Sequence, residues 1–108
     1  MEKIIVSEIV KYKLDELIKI LYDEEYFGFK QSAEDYVHNI IEFIYAVPTL
    51  PRKNTKKNRY GNFYCTYKHS NNTSWYITFD VEDEVYLIKN IANNHSRDYA
   101  EFIGNVFG

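Results

Sequence analysis

The chain has 108 residues with 13 Lys/Arg against 16 Asp/Glu, a formal net charge of −3, and is 45% hydrophobic and 18% aromatic. That length suits one domain spanning residues 1–108, that composition excludes a disordered chain, and the acidic balance excludes general affinity for nucleic acid. The positive charge is unevenly spread: residues 1–50 hold five Lys/Arg and ten Asp/Glu, whereas residues 51–69 hold six Lys/Arg and no acid. A local excess of this kind attracts polyanions even on an acidic protein.

In chain order, Lys3–Val6 (KIIV) is a short β-rich run and predicts a strand. Ser7 is placed to cap a helix with Glu8 in its first turn. Val10, Leu14, Leu17, Ile18 and Leu21 then recur at three- and four-residue spacing, the stripe of an amphipathic helix. DEEYFGF, with Gly28, breaks that pattern. Ser32 with Asp35 three residues on reads as a capping box for a second helix. Its buried face is Ala33, Val37, Ile40, Ile41 and Ile44, and Pro48 and Pro51 stop it. Two helices so close in sequence predict an antiparallel hairpin.

Beyond the basic stretch the period changes to alternation. NFYCTYK sets Phe63, Cys65 and Tyr67 on one face, SWYITFD does the same for Trp75, Ile77 and Phe79, and VYLIKNI is a third run. The polar links HSNNT and EDE are of hairpin length, which predicts a three-stranded antiparallel meander. Tyr99, Phe102, Ile103 and Val106 return to helical spacing and predict a short C-terminal helix. The expected fold is α+β: an N-terminal strand, a helical hairpin, the meander forming a small sheet, and the last helix, with helices covering one sheet face.

Eleven tyrosines stand beside a single tryptophan. A tyrosine buries its ring and keeps its hydroxyl wet, so packing in a thin domain explains them, with base stacking as the second reading. The lone Cys65 has no intrachain disulfide partner, which fits a reducing compartment, and no membrane-spanning or leader-like apolar run is present. These features predict a soluble, cytoplasmic protein.

No glycine-rich phosphate loop, HExxH, paired CxxC or GxSxG occurs, and His38, His69 and His95 lack ligand spacing, so the sequence signals no metal or cofactor. The acidic runs YDEEY and DVEDE read as solvated element ends. Arg52, Lys53, Lys56, Lys57 and Arg59 form either a phosphate-binding edge or a solvated loop. Cys65 reads as an interior strand residue.

The order of elements, YFG between the helices, P…LP closing the second, and above all TSWYITFD followed by YLIKNIANNH together resemble the RelE/ParE superfamily, toxins of bacterial type II toxin–antitoxin (plasmid stabilisation) systems. The resemblance covers nearly the whole chain. It implies a cognate antitoxin as partner, in a toxin–antitoxin hetero-oligomer. It also implies one of two activities: metal-independent cleavage of ribosome-bound messenger RNA, as in RelE-like members, or inhibition of DNA gyrase without nuclease chemistry, as in ParE-like members. Cleavage needs a base for the ribose 2′-hydroxyl, a cation for the phosphorane and an acid for the leaving 5′-oxygen.

Carried over by position, Lys56, Lys57 and Arg59 match basic residues before the strand that Lys68 ends, with Arg52 and Lys53 extending the RNA- or phosphate-binding set. His95 matches a recurrent histidine, and Lys89, Arg97 and Tyr99 complete the candidate catalytic group. Active members usually carry an arginine after the aromatic of the next strand, whereas this chain has Tyr76 after Trp75. That departure speaks for the binding-only alternative, a ParE-like or degenerate member. His95 and Tyr99 also have structural readings, as a helix cap and as packing. A scaffold domain with no toxin role is a third reading.

Overall fold

The structure, a computed structural model, describes residues 2–23, 30–55 and 58–95; of residues 22, 23, 30–32 and 58 it describes the backbone alone. The expected break at DEEYFGF and the expected C-terminal helix fall outside these residues.

Strand β1 (Lys3–Val6) leads into helix α1 (Glu8–Asp23), followed by helix α2 (Lys30–Ala46) and a 3-10 turn over Val47–Thr49. Then come β2 (Lys53–Asn54), a second 3-10 turn over Asn58–Tyr60, and strands β3 (Phe63–Lys68), β4 (Ser74–Glu82) and β5 (Val85–Asn93). The five strands form one sheet in the order β1-β5-β4-β3-β2.

This corrects the expected sheet in two ways. The meander β3-β4-β5 is present, but β1 joins it as a parallel edge beside β5, with Lys3 opposite Val85 and Val6 opposite Ile88. A parallel neighbour needs a long connection, and here the two helices and strands β2, β3 and β4 lie between β1 and β5. The second addition is β2, which pairs Lys53 with Tyr64 and Asn54 with Phe63. Two polar residues of low strand propensity carry no alternation signal, so β2 reads as loop in the sequence. The result is a mixed five-stranded sheet.

Alternation decides which residues meet the helices. Val10 and Leu14 of α1, with Val37, Ile40 and Ile44 of α2, pack on Cys65, Trp75, Ile77, Phe79, Ile88 and Ile91. Ile4 and Val6 extend this core from β1. On β5 the buried residues are three apart because the register slips: Thr78 opposes Asn90 and Phe79 opposes Ile88, leaving Lys89 unopposed in a bulge. The bulge turns both Ile88 and Ile91 to the helices, which a strict two-residue period forbids.

Two expected caps change role. Ser7 is the residue whose carbonyl accepts the first bond of α1, from Lys11 N–H at 3.1 Å, but its hydroxyl donates to the Lys89 carbonyl of the bulge at 3.2 Å. It ties the helix start to β5. α2 starts at Lys30, so Ser32 and Asp35 lie inside the helix and not at its start. Among the described residues no helix is long and apolar enough to cross a membrane.

Candidate functional site

Directly opposed residues of an antiparallel ladder share a face. With Phe63, Cys65 and Tyr67 turned to the helices, Tyr64, Thr66 and Lys68 take the other side. The register there forms rows: Lys53 with Tyr64, Thr78 and Asn90; Thr66 with Tyr76 and Ala92; Lys68 with Ser74. Tyr64 and Tyr76 meet edge to face with ring centroids 6.0 Å apart. Both are half-buried, and Thr78, opposite Tyr64, is fully buried, its hydroxyl donating to the Asn90 carbonyl at 3.3 Å. Toward β2 this side of the sheet carries tyrosine, threonine and lysine; Thr78 and Ala92 on it are buried, and toward β1 it carries Asp80, Glu82, Ile5, Val85 and Leu87.

At one end of that surface the basic stretch turns back onto the sheet. Thr55 N–H donates to the Asn62 carbonyl at 3.0 Å, and Asn62 N–H donates to Asp80 Oδ1 of β4 at 2.7 Å. Between them Gly61 adopts φ +125° against the β4 backbone, where an added Cβ would lie 2.9 Å from Phe79 N. Only glycine passes so close in that conformation. Arg52 lies over the Phe63 ring at 4.5 Å and Arg59 over Tyr60 at 4.9 Å. Such stacking holds a guanidinium in place. Arg52, Lys53 and Arg59 are all exposed. Lys56 and Lys57 lie outside the described residues.

Of the candidate catalytic group, Lys89 and His95 are not brought together. Lys89, at the bulge, reaches Asp80 Oδ2 at 3.5 Å, so its charge is partly offset. His95 lies past the far end of β5, and Lys89 and Asn93 alone are about 13 Å apart along an extended strand. His95 is exposed; its ring nitrogen is 3.4 Å from Thr73 Oγ1 and its backbone N–H donates to Asn93 Oδ1 at 2.9 Å. Lys68 comes to this same end, since it opposes Ser74, the neighbour of Thr73. His95 and Lys68 thus share one end of the sheet, while Arg52, Lys53, Arg59 and Lys89 gather toward the other. Arg97 and Tyr99 lie outside the described residues.

The other singled-out groups take structural positions. Trp75 Nε1–H donates to the Tyr36 hydroxyl at 3.0 Å, and burial raises the Tyr36 pKa above its ordinary value. The His69 and Tyr36 rings meet tilted by 57° with centroids 4.2 Å apart, and His38 contacts Glu42 at 2.9 Å on exposed α2 surface. Cys65 is buried and its Sγ–H donates to the Pro51 carbonyl at 3.3 Å. Burial pushes its thiol up to about 11, against the partial opposing effect of Arg52. It is protonated near neutrality and does not serve as a nucleophile. Among the described residues no His, Cys, Asp and Glu side chains cluster so as to hold a metal ion.

Sequence reasoning missed Tyr64, Thr66 and Asp80. The first two were legible as the second face of FYCTYK, once its apolar face is assigned to the core. The clamp role of Asp80 has no local signal, since Asn62 is 18 residues away. Comparison of the chain with known protein families, with curated proteins and with solved structures finds no match.

Proposed function

We propose that the chain is a RelE-like toxin of a type II toxin–antitoxin system that cleaves messenger RNA on the ribosome, neutralised by a cognate antitoxin. The observation that carries this reading is the sheet face on which Tyr64 and Tyr76 meet, bordered by Lys53 and Lys68. Unstacked bases pack on aromatic rings while lysines hold phosphates, and the combination selects single-stranded RNA over a duplex. Arg52 and Arg59 extend the phosphate-binding border. In this reading His95 transfers the proton and Lys68, at the same end of the sheet, stabilises the phosphorane. Lys89 holds Asp80 and is removed from the chemistry.

A specific observation favours a second reading. Tyr76 occupies the strand position where active relatives in the resemblance carry arginine, and Lys89 is engaged by Asp80. A ParE-like toxin that binds DNA gyrase needs neither group for chemistry. Mapping messenger RNA 5′ ends in a translating lysate decides between them. The ribonuclease reading expects new ends with the wild type, lost in His95→Ala and Lys68→Ala. Intact RNA from a growth-inhibiting protein overturns it and directs the search to gyrase.

A further inference from the structure

Helix α1 buries one stripe and leaves a second in water. Val10 and Leu14 enter the core, and Leu17 and Ile18 pack partly against it. Among the described residues five large apolar side chains are exposed, and three of them stand on α1: Ile9 at 46%, Tyr12 at 61% and Ile20 at 50%. Single exposed apolar residues are ordinary. These three are not scattered. Ile9, Lys13, Glu16 and Ile20 are spaced four, three and four residues apart, so at about 3.6 residues per turn they form one line along the helix, with Tyr12 beside it. Alternating steps of four and three are the spacing by which one helix seats on another.

The same stripe walls an open cavity of about 260 Å³, whose other wall is Trp75, Ile91 and Ala92 of β4 and β5. Lys13 is held at its margin, donating to Asn90 Oδ1 at 2.6 Å and to the Ile91 carbonyl at 3.1 Å. Glu16 is half-buried and 3.6 Å from Lys19 of its own helix. Along the line the order is apolar, positive, negative, apolar, which is its own complement when reversed. Set antiparallel to a second copy, Ile9 meets Ile20 and Lys13 meets Glu16, and each contact occurs twice. Set parallel, Lys13 meets Lys13 and Glu16 meets Glu16, and both pairs repel. The charges thus favour one partner in one direction.

We propose that α1 pairs antiparallel with α1 of a second copy of the chain, about a two-fold axis at the level of Leu14 and Asp15. Ile9 of the second copy seats against Ile20 at the cavity, and the two Lys13–Glu16 pairs fix the register. From Ile9 to Ile20 the line is about 16 Å long at 1.5 Å per residue. So short a seam falls below the roughly 1,200 Å² of a stable interface, and the dimer is weak and reversible. α1 lies on the helix side of the sheet, so the pairing leaves the tyrosine face uncovered. This inference does not rest on the ribonuclease reading.

The test is the mass of the full chain by sedimentation equilibrium from about 1 μM to 1 mM, the span of weak association. The mass is expected to rise with concentration from 12.9 kDa toward twice that value. Ile9→Glu and Ile20→Lys, each alone, should weaken the pairing about tenfold or more, because each sets a charge against an isoleucine. Both positions are exposed, so the melting temperature should hold. The two substitutions together should restore the dimer, since only the antiparallel register sets the introduced carboxylate against the introduced ammonium. As a second check, Ile9→Cys and Ile20→Cys chains should form an intermolecular disulfide when mixed and not when oxidised separately, Cys65 being buried. A mass fixed at 12.9 kDa across the span overturns the proposal. So does a dimer indifferent to both single substitutions, which lies on another surface, or a double variant that does not recover. A monomer that cleaves messenger RNA sinks this inference alone, and a dimer that leaves RNA intact sinks only the function above.

Discussion

The two faces of the sheet are built from the same strands yet obey different rules. The helix-side face is filled by Cys65, Trp75, Ile77, Phe79, Ile88 and Ile91, none more than 7% exposed. The other face is mixed: Lys53, Tyr64, Thr66, Lys68, Ser74 and Tyr76 lie toward β2, Thr78 and Ala92 are buried beside them, and Ile5, Val85, Leu87, Asp80 and Glu82 lie toward β1. Tyrosines in contact, bordered by cations, are a surface able to hold a ligand that is flat in one part and anionic in another.

The contrast is broken most severely from the core side. Phe79→Ala empties a fully buried position and should cost about 3–5 kcal/mol in urea unfolding. Gly61→Ala strikes the junction of the two regions. It forces a side chain into a positive-φ site against the Phe79 backbone, and should cost about 3 kcal/mol and release the basic stretch from Asp80.

Proton linkage offers a third handle on the core face. Burial raises the Cys65 thiol to about 11 from an ordinary value of 9.0. The unfolded chain therefore loses this proton first, so the contribution is full below about pH 9 and is lost as pH rises through 11. Roughly 2 kcal/mol of stability should disappear across that window, and Cys65→Ala should remove this component of the pH dependence.

Substitutions on the second face should leave the fold nearly intact. Tyr76→Ala is expected to weaken single-stranded RNA binding by about 1–3 kcal/mol, the worth of one stacked base, while shifting unfolding far less than Phe79→Ala. A Tyr76→Ala variant that loses stability but not RNA affinity would assign the tyrosines to packing. Asp80→Asn should have the smallest effect on stability, about 1 kcal/mol or less, because its partner Lys89 is 36% exposed and the pair is screened by solvent. It should still speed amide exchange at Asn62.

How much of this was legible depended on whether a signal was local. The two helices and the three meander strands announce themselves because each repeats its own period over several turns or pleats. The face opposite the core followed from the same alternation, once Phe63, Cys65 and Tyr67 were assigned to the helices. His95 and Lys89, grouped by the resemblance, lie only six positions apart in sequence. An extended strand separates such positions, so nearness in sequence became distance in space. Lys68 and His95 show the converse, far apart in sequence and together at one end of the sheet.

The sequence by itself determined an α+β chain with two amphipathic helices, a strand meander, one concentrated run of positive charge and a single interior cysteine. These are properties of composition and period, set by which side chains leave water. Only the tertiary structure decided that β1 runs parallel beside β5, that a bulge at Lys89 turns Ile88 and Ile91 the same way, and that β2 stops two residues along β3. Each depends on which backbone groups find partners across the chain, and partner choice is a long-range competition that no local window contains.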